Sequence, residues 1–331
     1  MRKLRQIAYP LQCEISGHRL KKPRRSVRRA ERGGAPLPKT SGYNYEKHTW
    51  GCVLKGNKTF RGLKRSLIVL AVLALLAAAA LYRGLVVRHY DVETVKEADV
   101  RFVLVSDLHA DRYGQGQADL LRLIRDQAPD AILMAGDMID DVSSNEPTLE
   151  FMKVAAGIAP SFYVTGSHDL WSEQYNDCIR AMKGWGIVVL DGSTAPFEVR
   201  GKRIALSGIG DPTYGGYPDD RERYLGDLKA CFSALDPAAF NVLIAHRPDY
   251  IGEYAKYPFD LVVSGHTHGG QVRVPPILNG LFAPDQGWFP QYAGGRYSLG
   301  DTTMIVSRGL SHYPRLPRVF NPPEVCVITV R

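Results

Sequence analysis

Thiols are scarce in this chain of 331 residues: Cys13, Cys52, Cys178, Cys231 and Cys326 lie far apart and are odd in number. There is no Cys-x-x-Cys pair, which excludes the usual zinc and thioredoxin-like arrangements. Nor is there the dense disulfide framework of a small secreted fold. The five are read as buried or free thiols. Acidic residues are nearly missing from the first 65 positions, which hold 18 Lys and Arg against Glu14, Glu31 and Glu46 and so carry +15. With a total of +8, the other 266 residues carry −7. The sequence is a basic tail on a mildly acidic domain, and its pI of 9.2 says little about the partners of that domain. The domain lacks the basic groove signature that long nucleic acids require.

Within residues 1–65 there is no sustained apolar period, and "HRLKKPRRSVRRAERGGAPLPK" cannot bury enough surface to offset chain entropy, so disorder is expected. Such a run can bind phosphate, but it leads directly into "SLIVLAVLALLAAAALY", residues 66–82. That stretch has 17 uncharged residues, and "GLVV" continues after Arg83. Spanning a bilayer takes roughly 20 residues, and Arg83 can snorkel, so a transmembrane helix is expected over 66–87. A buried core helix is the alternative. A cleaved signal peptide fits poorly, because the apolar region is long and starts late. The positive-inside rule puts the tail in the cytoplasm and residues 88–331 outside it. Part of residues 1–55 reads equally as an upstream extension of a shorter natural protein.

From residue 100 the pattern alternates. "RFVLVSD", "AILMAGD", "SFYVTG", "GIVVL", "KRIALSGIGD", "FNVLIAHRPD", "FDLVVSGHTHGG", "TTMIVSRGL" and "EVCVITV" read as strands, with helical periods between the early ones. This alternation means an α/β domain over residues 88–331. Polar clusters stand where the strands stop: Asp107 and His109, Asp137 and Asp140, Ser167 with His168 and Asp169, His246, and His266 with His268. Sites in α/β folds gather at carboxyl ends of strands. Any one of these clusters reads as a turn or a cap, whereas their joint occurrence points to a metal site. Imidazole and carboxylate without thiolate suit Mn, Fe, Zn or Ni rather than Ca or an iron–sulfur cluster. Asp137 can bridge two cations, and a pair about 3.5–4 Å apart clamps a phosphoryl group and generates a hydroxide nucleophile.

The ordered series DxH, GDxxD, G(N)HD, H and GHTH resembles the calcineurin-like metallophosphoesterase superfamily over about residues 100–331. "GHTHGGQVRVP", "SRGL" and "NPPEV" resemble more narrowly its small membrane-associated bacterial branch, which includes phosphodiesterases and UDP-2,3-diacylglucosamine hydrolase-like enzymes of lipid A biosynthesis. The resemblance implies a four-layer α/β/β/α sandwich of two mixed sheets and two divalent cations, Mn²⁺ foremost. It implies that Asp107, His109 and His268 hold the first metal and that Asp137 bridges. His246, His266 and residue 167 would hold the second. His168 would be the general acid, oriented by Asp169, with Asp140 behind the ligands.

Ser167 departs from the family's Asn. It is neutral and offers an oxygen but is shorter by about one bond, so the second site is weakened or retuned. The segment 278–297 interleaves Phe282, Trp288, Phe289, Tyr292 and Tyr297 with Gly and Pro, as a loop over the site or ordinary packing. Arg308, Arg315 and Arg318 are candidates to pair with a diphosphate, and His312 to stand at the rim. The expectation is a single-pass protein of the bacterial inner membrane with its domain outside the cytoplasm. It would hydrolyse a phosphodiester or pyrophosphate by metal-bound hydroxide, in a lipid or a nucleotide-sugar lipid such as UDP-2,3-diacylglucosamine. Its partners would be that substrate and the bilayer, with no specific nucleic acid. The alternatives are a nucleotide or nucleic-acid phosphodiesterase of the same fold, or a membrane-tethered binding protein weakened at Ser167.

Overall fold

The computed structural model describes residues 58–96, 98–213, 220–312 and 317–331. The disorder expected for residues 1–65 therefore falls, as far as residue 57, outside the described residues, as do Cys13, Cys52 and Arg315. Residues 58–65 differ from that expectation: they open a helix, α1, Lys58–Ala80. Leucine and alanine dominate it, and both are strong helix formers. Its stretch Gly62–Ala80, 19 residues of mean hydropathy 2.1, is long and apolar enough to cross a membrane, and none of it is buried. The helix ends short of the Val87 expected. The β-branched run "VVRHYDV" forms β1 (Val86–Val92) instead, with Val86 already paired with Glu324.

Thirteen further strands follow. They are β2 (Val100–Val105), β3 (Ala131–Ala135), β4 (Ser161–Val164), β5 (Val188–Val189), β6 (Ser193–Val199), β7 (Lys202–Ile209), β8 (Phe240–Ala245), β9 (Leu261–Ser264), a short hairpin of β10 (Phe282–Ala283) and β11 (Gly287–Trp288), then β12 (Gly295–Leu299), β13 (Thr302–Val306) and β14 (Glu324–Val330). They form two six-stranded sheets, ordered β1-β14-β2-β3-β4-β5 and β12-β13-β9-β8-β7-β6. In each sheet a run of neighbouring strands is parallel, β2 to β5 in one and β7, β8, β9 and β13 in the other, with antiparallel pairs at β14–β2, β6–β7 and β12–β13.

The period of two along each strand sets the layers. In β2, Val103 and Val105 face outward and pack with Leu120 and Ile124 of α2 (Ala118–Asp126), Phe151 and Met152 of α3 (Glu146–Ala155) and Met182 further on. Phe102 and Leu104 face inward and share a core with Leu206, Val242 and Val263 of the second sheet. The outer face of that sheet buries Leu243 and Val262 against Tyr224, Leu228 and Phe232. Between β4 and β5 lie α4 (Ser167–Trp171) and α5 (Tyr175–Gly184), which carries Met182; α6 (Arg221–Phe232) and α7 (Ile251–Tyr254) cover the second sheet. The result is the four-layer α/β/β/α sandwich anticipated from the sequence.

Parallel strands deliver their carboxyl ends to one edge, and the loops there are sewn together by backbone bonds. Asp107 N donates to Gly136 O (3.0 Å), His109 N to Asp137 O (3.1 Å), Gly265 N to His246 O (3.1 Å) and Ser311 N to Asp107 O (2.7 Å). Leu133, wholly buried between the sheets, lies directly behind this edge. Leu133→Ala is expected to lower the unfolding free energy by about 2–5 kcal/mol, read from thermal unfolding of the detergent-solubilised chain.

Candidate metal centre

The backbone of the edge loops is wound tightly. Asp107 (φ 52°), His109 (45°), Asp137 (51°), His266 (72°) and His268 (48°) all adopt left-handed conformations, which non-glycine residues rarely hold. Such strain persists only where the surroundings over-determine it. Here the surroundings are cross-loop bonds: Asp107 Oδ1 accepts from His266 N (2.9 Å), and Asp137 Oδ1 accepts from His168 N (2.8 Å).

Among the described residues four groups of donor atoms converge as a result, two of them through His168 (with His109 and Asp137, and with Asp140 and Asp141), and the other two share no residue. Asp107, His109 and His268 bring one atom each within 4.8 Å of one another, and so do Asp137, His246 and His266. In the second group His246 Nε2 is 3.1 Å from Asp137 Oδ2 and 3.2 Å from His266 Nδ1. His246 Nδ1 donates to Ala135 O at 2.7 Å, which leaves Nε2 as the atom that could hold a cation. His109 joins the groups, its Nε2 3.7 Å from Asp137 Oδ2 and its ring stacked on His268 at 5.3 Å.

Buried acids and imidazoles at this density need compensating charge. Burial opposes protonation of His246, but the Asp137 carboxylate beside it outweighs burial, and the imidazole is pushed up to about 10. Burial likewise opposes ionisation of Asp137, and His246 overcomes it, holding that carboxyl well below the usual range. His109 is raised: burial works against it, and Asp140, Asp137 and Asp107 win. His268 is lowered by burial and then by His109. Protons thus supply part of the positive charge that cations would bring. Asp107 Oδ2 is buried with no hydrogen-bond partner among the described residues. A buried carboxylate oxygen in that state, in an all-nitrogen-and-oxygen donor set, fits a divalent cation.

A cavity of about 210 Å³ opens onto this cluster, lined by Asp137, Ser167, His168, Trp171, Arg247, His266, His268, Pro284 and Asp285. Ser167 therefore stands at the site, at the start of α4. His168 stands at the mouth, but its partner is not the one expected. The Asp169 carboxylate accepts from the backbone N–H groups of Asp137 (2.7 Å), Ile139 (2.6 Å) and Gly166 (2.6 Å), so it fixes the ligand loops and does not orient His168. Burial and then Asp137 push that carboxyl up to about 7. Asp141 holds the imidazole instead, its Oδ1 2.8 Å from His168 Nδ1. Asp140 lies 3.5 Å from His109 Nδ1, behind the ligands.

Two of the arginines singled out in the sequence are structural. Arg318 is buried and donates to Ser311 O (2.8 Å), Arg308 O (2.9 Å) and Gly309 O (3.4 Å), so its guanidinium caps the loop carbonyls and does not line the cavity. Arg308 Nε pairs with the buried Glu324 at 3.2 Å. His312 lines not that cavity but a neighbouring one, with His109, Asp140, Asp141, His168 and Trp171. Asp141, Arg247 and Asp285 were missed by sequence reading. Asp141 could have been found as the second acid of "MIDD", and Asp285 as the polar turn residue inside an aromatic loop.

A Cβ at Gly166 would lie 2.3 Å from Asp137 Oδ1 and 2.5 Å from Asp137 N. Gly166→Ala must therefore push the shared carboxylate aside. Cation binding is expected to weaken at least about tenfold, measured by titration calorimetry and elemental analysis, with the far-UV circular dichroism unchanged.

Residues 100–270 match the family model described as calcineurin-like phosphoesterase. The chain is 29% identical over 243 residues to the uncharacterized metallophosphoesterase YkuE of Bacillus subtilis, covering 70% of this chain and 79% of that protein. It is 28% identical over 237 residues to phosphodiesterase YaeI of Escherichia coli, covering 70% and 82%. Over 110 residues it is 34% identical to UDP-2,3-diacylglucosamine pyrophosphatase LpxG of Chlamydia muridarum, covering 31% and 32%. The chain belongs to the calcineurin-like phosphoesterase family of metal-dependent phosphoester hydrolases.

Proposed function

We propose that this protein is a membrane-anchored phosphoesterase with two divalent cations, Mn²⁺ foremost, acting on a phosphodiester or pyrophosphate bond in a lipid or nucleotide-sugar lipid. The observation that carries the reading is the pair of converging triads, Asp107, His109, His268 and Asp137, His246, His266. In this reading the first triad would hold one cation and the second triad, aided by Ser167, the other, with Asp137 able to serve both. Such a pair supplies Lewis-acid charge for the phosphoryl oxygens and lowers the pKa of water to near neutrality.

The chain's own residues do the rest. His168 stands at the mouth with Nδ1 held by Asp141, so Nε2 is the nitrogen that delivers a proton to the leaving oxygen. Asp169 keeps the Asp137 and Gly166 amides in register, which fixes where His168 begins. Trp171 lines the same cavity, its ring edge-on to His168 at 4.9 Å.

Membrane anchoring rests on α1 and on where it ends. His312 Nε2 lies 3.0 Å from Arg83 O, three residues past Ala80, and His312 shares a cavity wall with His109 and His168. Three residues reach at most about 11 Å, so this wall stands close to the headgroup layer if α1 spans. A phosphate at headgroup depth is the substrate this favours. The sharpest version, a UDP-2,3-diacylglucosamine-type pyrophosphate, draws support from the stretch similar to LpxG. The basic flank of α1 argues for a domain outside the cytoplasm, which favours other lipid phosphoesters.

Ser167 favours one rival, a tethered binding protein with a single cation. Both readings are tested by Mn²⁺-dependent hydrolysis of bis-p-nitrophenyl phosphate. The wild-type chain is expected to turn over, His168→Ala to lose about 10²–10⁴-fold with cation binding intact, and Ser167→Asn to gain roughly tenfold or more. A silent, folded wild type beside an active Ser167→Asn would hand the case to the binding protein. In cells, the full chain is expected to stay in the membrane pellet through carbonate washing and residues 88–331 alone to appear in the soluble fraction.

A further inference from the structure

The turn of the β10–β11 hairpin carries a carboxylate that the roles assigned above leave unused. Asp285 sits in that turn with φ 59°, and its Oδ2 is 2.7 Å from His266 Nε2. The same oxygen is 2.5 Å from Arg247 Nη1. Arg247 is itself buried and held from behind, Nε to Asp211 Oδ2 at 2.9 Å and Nη2 to Asp211 Oδ1 at 3.4 Å. Asp211 Oδ1 in turn accepts from Thr213 N (3.0 Å) and Thr213 Oγ1 (2.7 Å). The hairpin is fastened independently of these side chains: Leu281 N donates to Gly270 O (2.9 Å) and Phe289 N to Leu281 O (2.8 Å). Asp285 is thus brought to His266 by backbone bonds and braced there by a buried arginine.

We propose that Asp285 is a positioning residue for the second cation: by accepting the Nε2 proton of His266 it fixes that imidazole with Nδ1 toward His246 and Asp137. A neutral imidazole has one N–H and one lone pair. If the N–H is committed to Asp285, Nδ1 is the ligating atom, and Nδ1 is the atom that lies 3.2 Å from His246 Nε2. The two histidines then reach the same point by mirrored means. His246 is locked through Nδ1 on the Ala135 carbonyl and ligates through Nε2; His266 is locked through Nε2 on Asp285 and ligates through Nδ1. The lock on His266 is a carboxylate, which also raises the donor strength of the ring more than a carbonyl does. Since residue 167 offers only a short hydroxyl, the second site depends on its two imidazoles and Asp137, and so on Asp285.

This inference rests on the two-cation reading, and the test separates the two. The full-length chain in detergent is labelled with ¹⁵N-histidine, and the tautomer of His266 is read from its ring nitrogens without cations; Mn²⁺ binding is then measured by calorimetry. Wild type is expected to show His266 protonated at Nε2. Asp285→Ala is expected to lose that single tautomer and to bind one of two cations about 10–100-fold more weakly, the other within twofold. Asp285→Asn, whose amide oxygen can still accept from Nε2, is expected to keep the tautomer and lose less than tenfold, and it carries the test if Asp285→Ala does not fold. An unchanged His266 tautomer in Asp285→Ala, or two unchanged affinities, overturns the role given to Asp285. Fewer than two cations in the wild type would instead overturn the dinuclear reading, with the tautomer measurement still judging Asp285.

Discussion

The ligand edge depends on one constraint: the Asp137 carboxylate must stay ionised while buried. Taking such a group out of water costs several kcal/mol even after relaxation, and only close positive charge and hydrogen bonds offset it. Asp137 Oδ1 accepts the His168 N–H, and Oδ2 faces His246 at 3.1 Å and His109 at 3.7 Å. Three loops of the edge therefore turn inward toward the same carboxylate. Gly166 has no Cβ because that space belongs to Asp137, and the left-handed twists at Asp107, His109 and His266 bring their side chains to bear on one volume. The inward-facing core between the sheets supplies the rigidity that holds these twists in place.

A second set of buried polar groups holds the loops rather than any ligand. Asp169 gathers three amides from two loops; Arg318 gathers three carbonyls from the segment after β13; Asn321 Nδ2 donates to His268 O (2.7 Å) and Gln271 O (3.2 Å). In each case a side chain satisfies backbone groups that loops cannot pair among themselves. Leaving such groups unpaired in the interior would cost about 1–3 kcal/mol each. Arg308 and Arg318 look like phosphate ligands in the sequence because arginine near a strand end commonly is one. Their burial among carbonyls and beside Glu324 is a property of the tertiary fold, which one-dimensional spacing does not carry.

The same distinction explains what was legible. A β-rich run that stops at Asp or His announces a strand end and its cargo, so the α/β class and the clustered Asp and His residues could be read directly, while the four-layer arrangement came only with the family resemblance. Which of two adjacent acids reaches an imidazole could not. Asp169 follows His168 in the chain, yet α4 turns its carboxylate back onto three amides, while Asp141 arrives from the loop after β3. Asp285 was hidden because a turn residue gains meaning only when hairpin bonds bring it to His266. The end of α1 was misjudged because Leu85, Val86 and Val87 resume the apolar run after Arg83. Pairing with β14, not hydropathy, decides that Val86 and Val87 are strand.

Ser167 is best understood through what does not depend on it. The position of residue 167 is set by its neighbours: Gly166 N and His168 N are both tied to acids of the edge, Asp169 Oδ2 and Asp137 Oδ1. A change from a longer amide to serine leaves that frame standing and removes reach alone. The cavity of about 210 Å³ beside it has room for a water, whose share of liquid volume is about 30 Å³, to span the missing bond length. The consequence falls on how tightly one cation is held and not on whether the fold or His168 is in place. In the proposed two-cation site, strength lost at residue 167 would be made up by His246, His266 and Asp137, and a site that leans on fewer ligands is more sensitive to how each is oriented. The Ala135 carbonyl on His246 and the Asp285 carboxylate on His266 would supply that orientation in the proposed site.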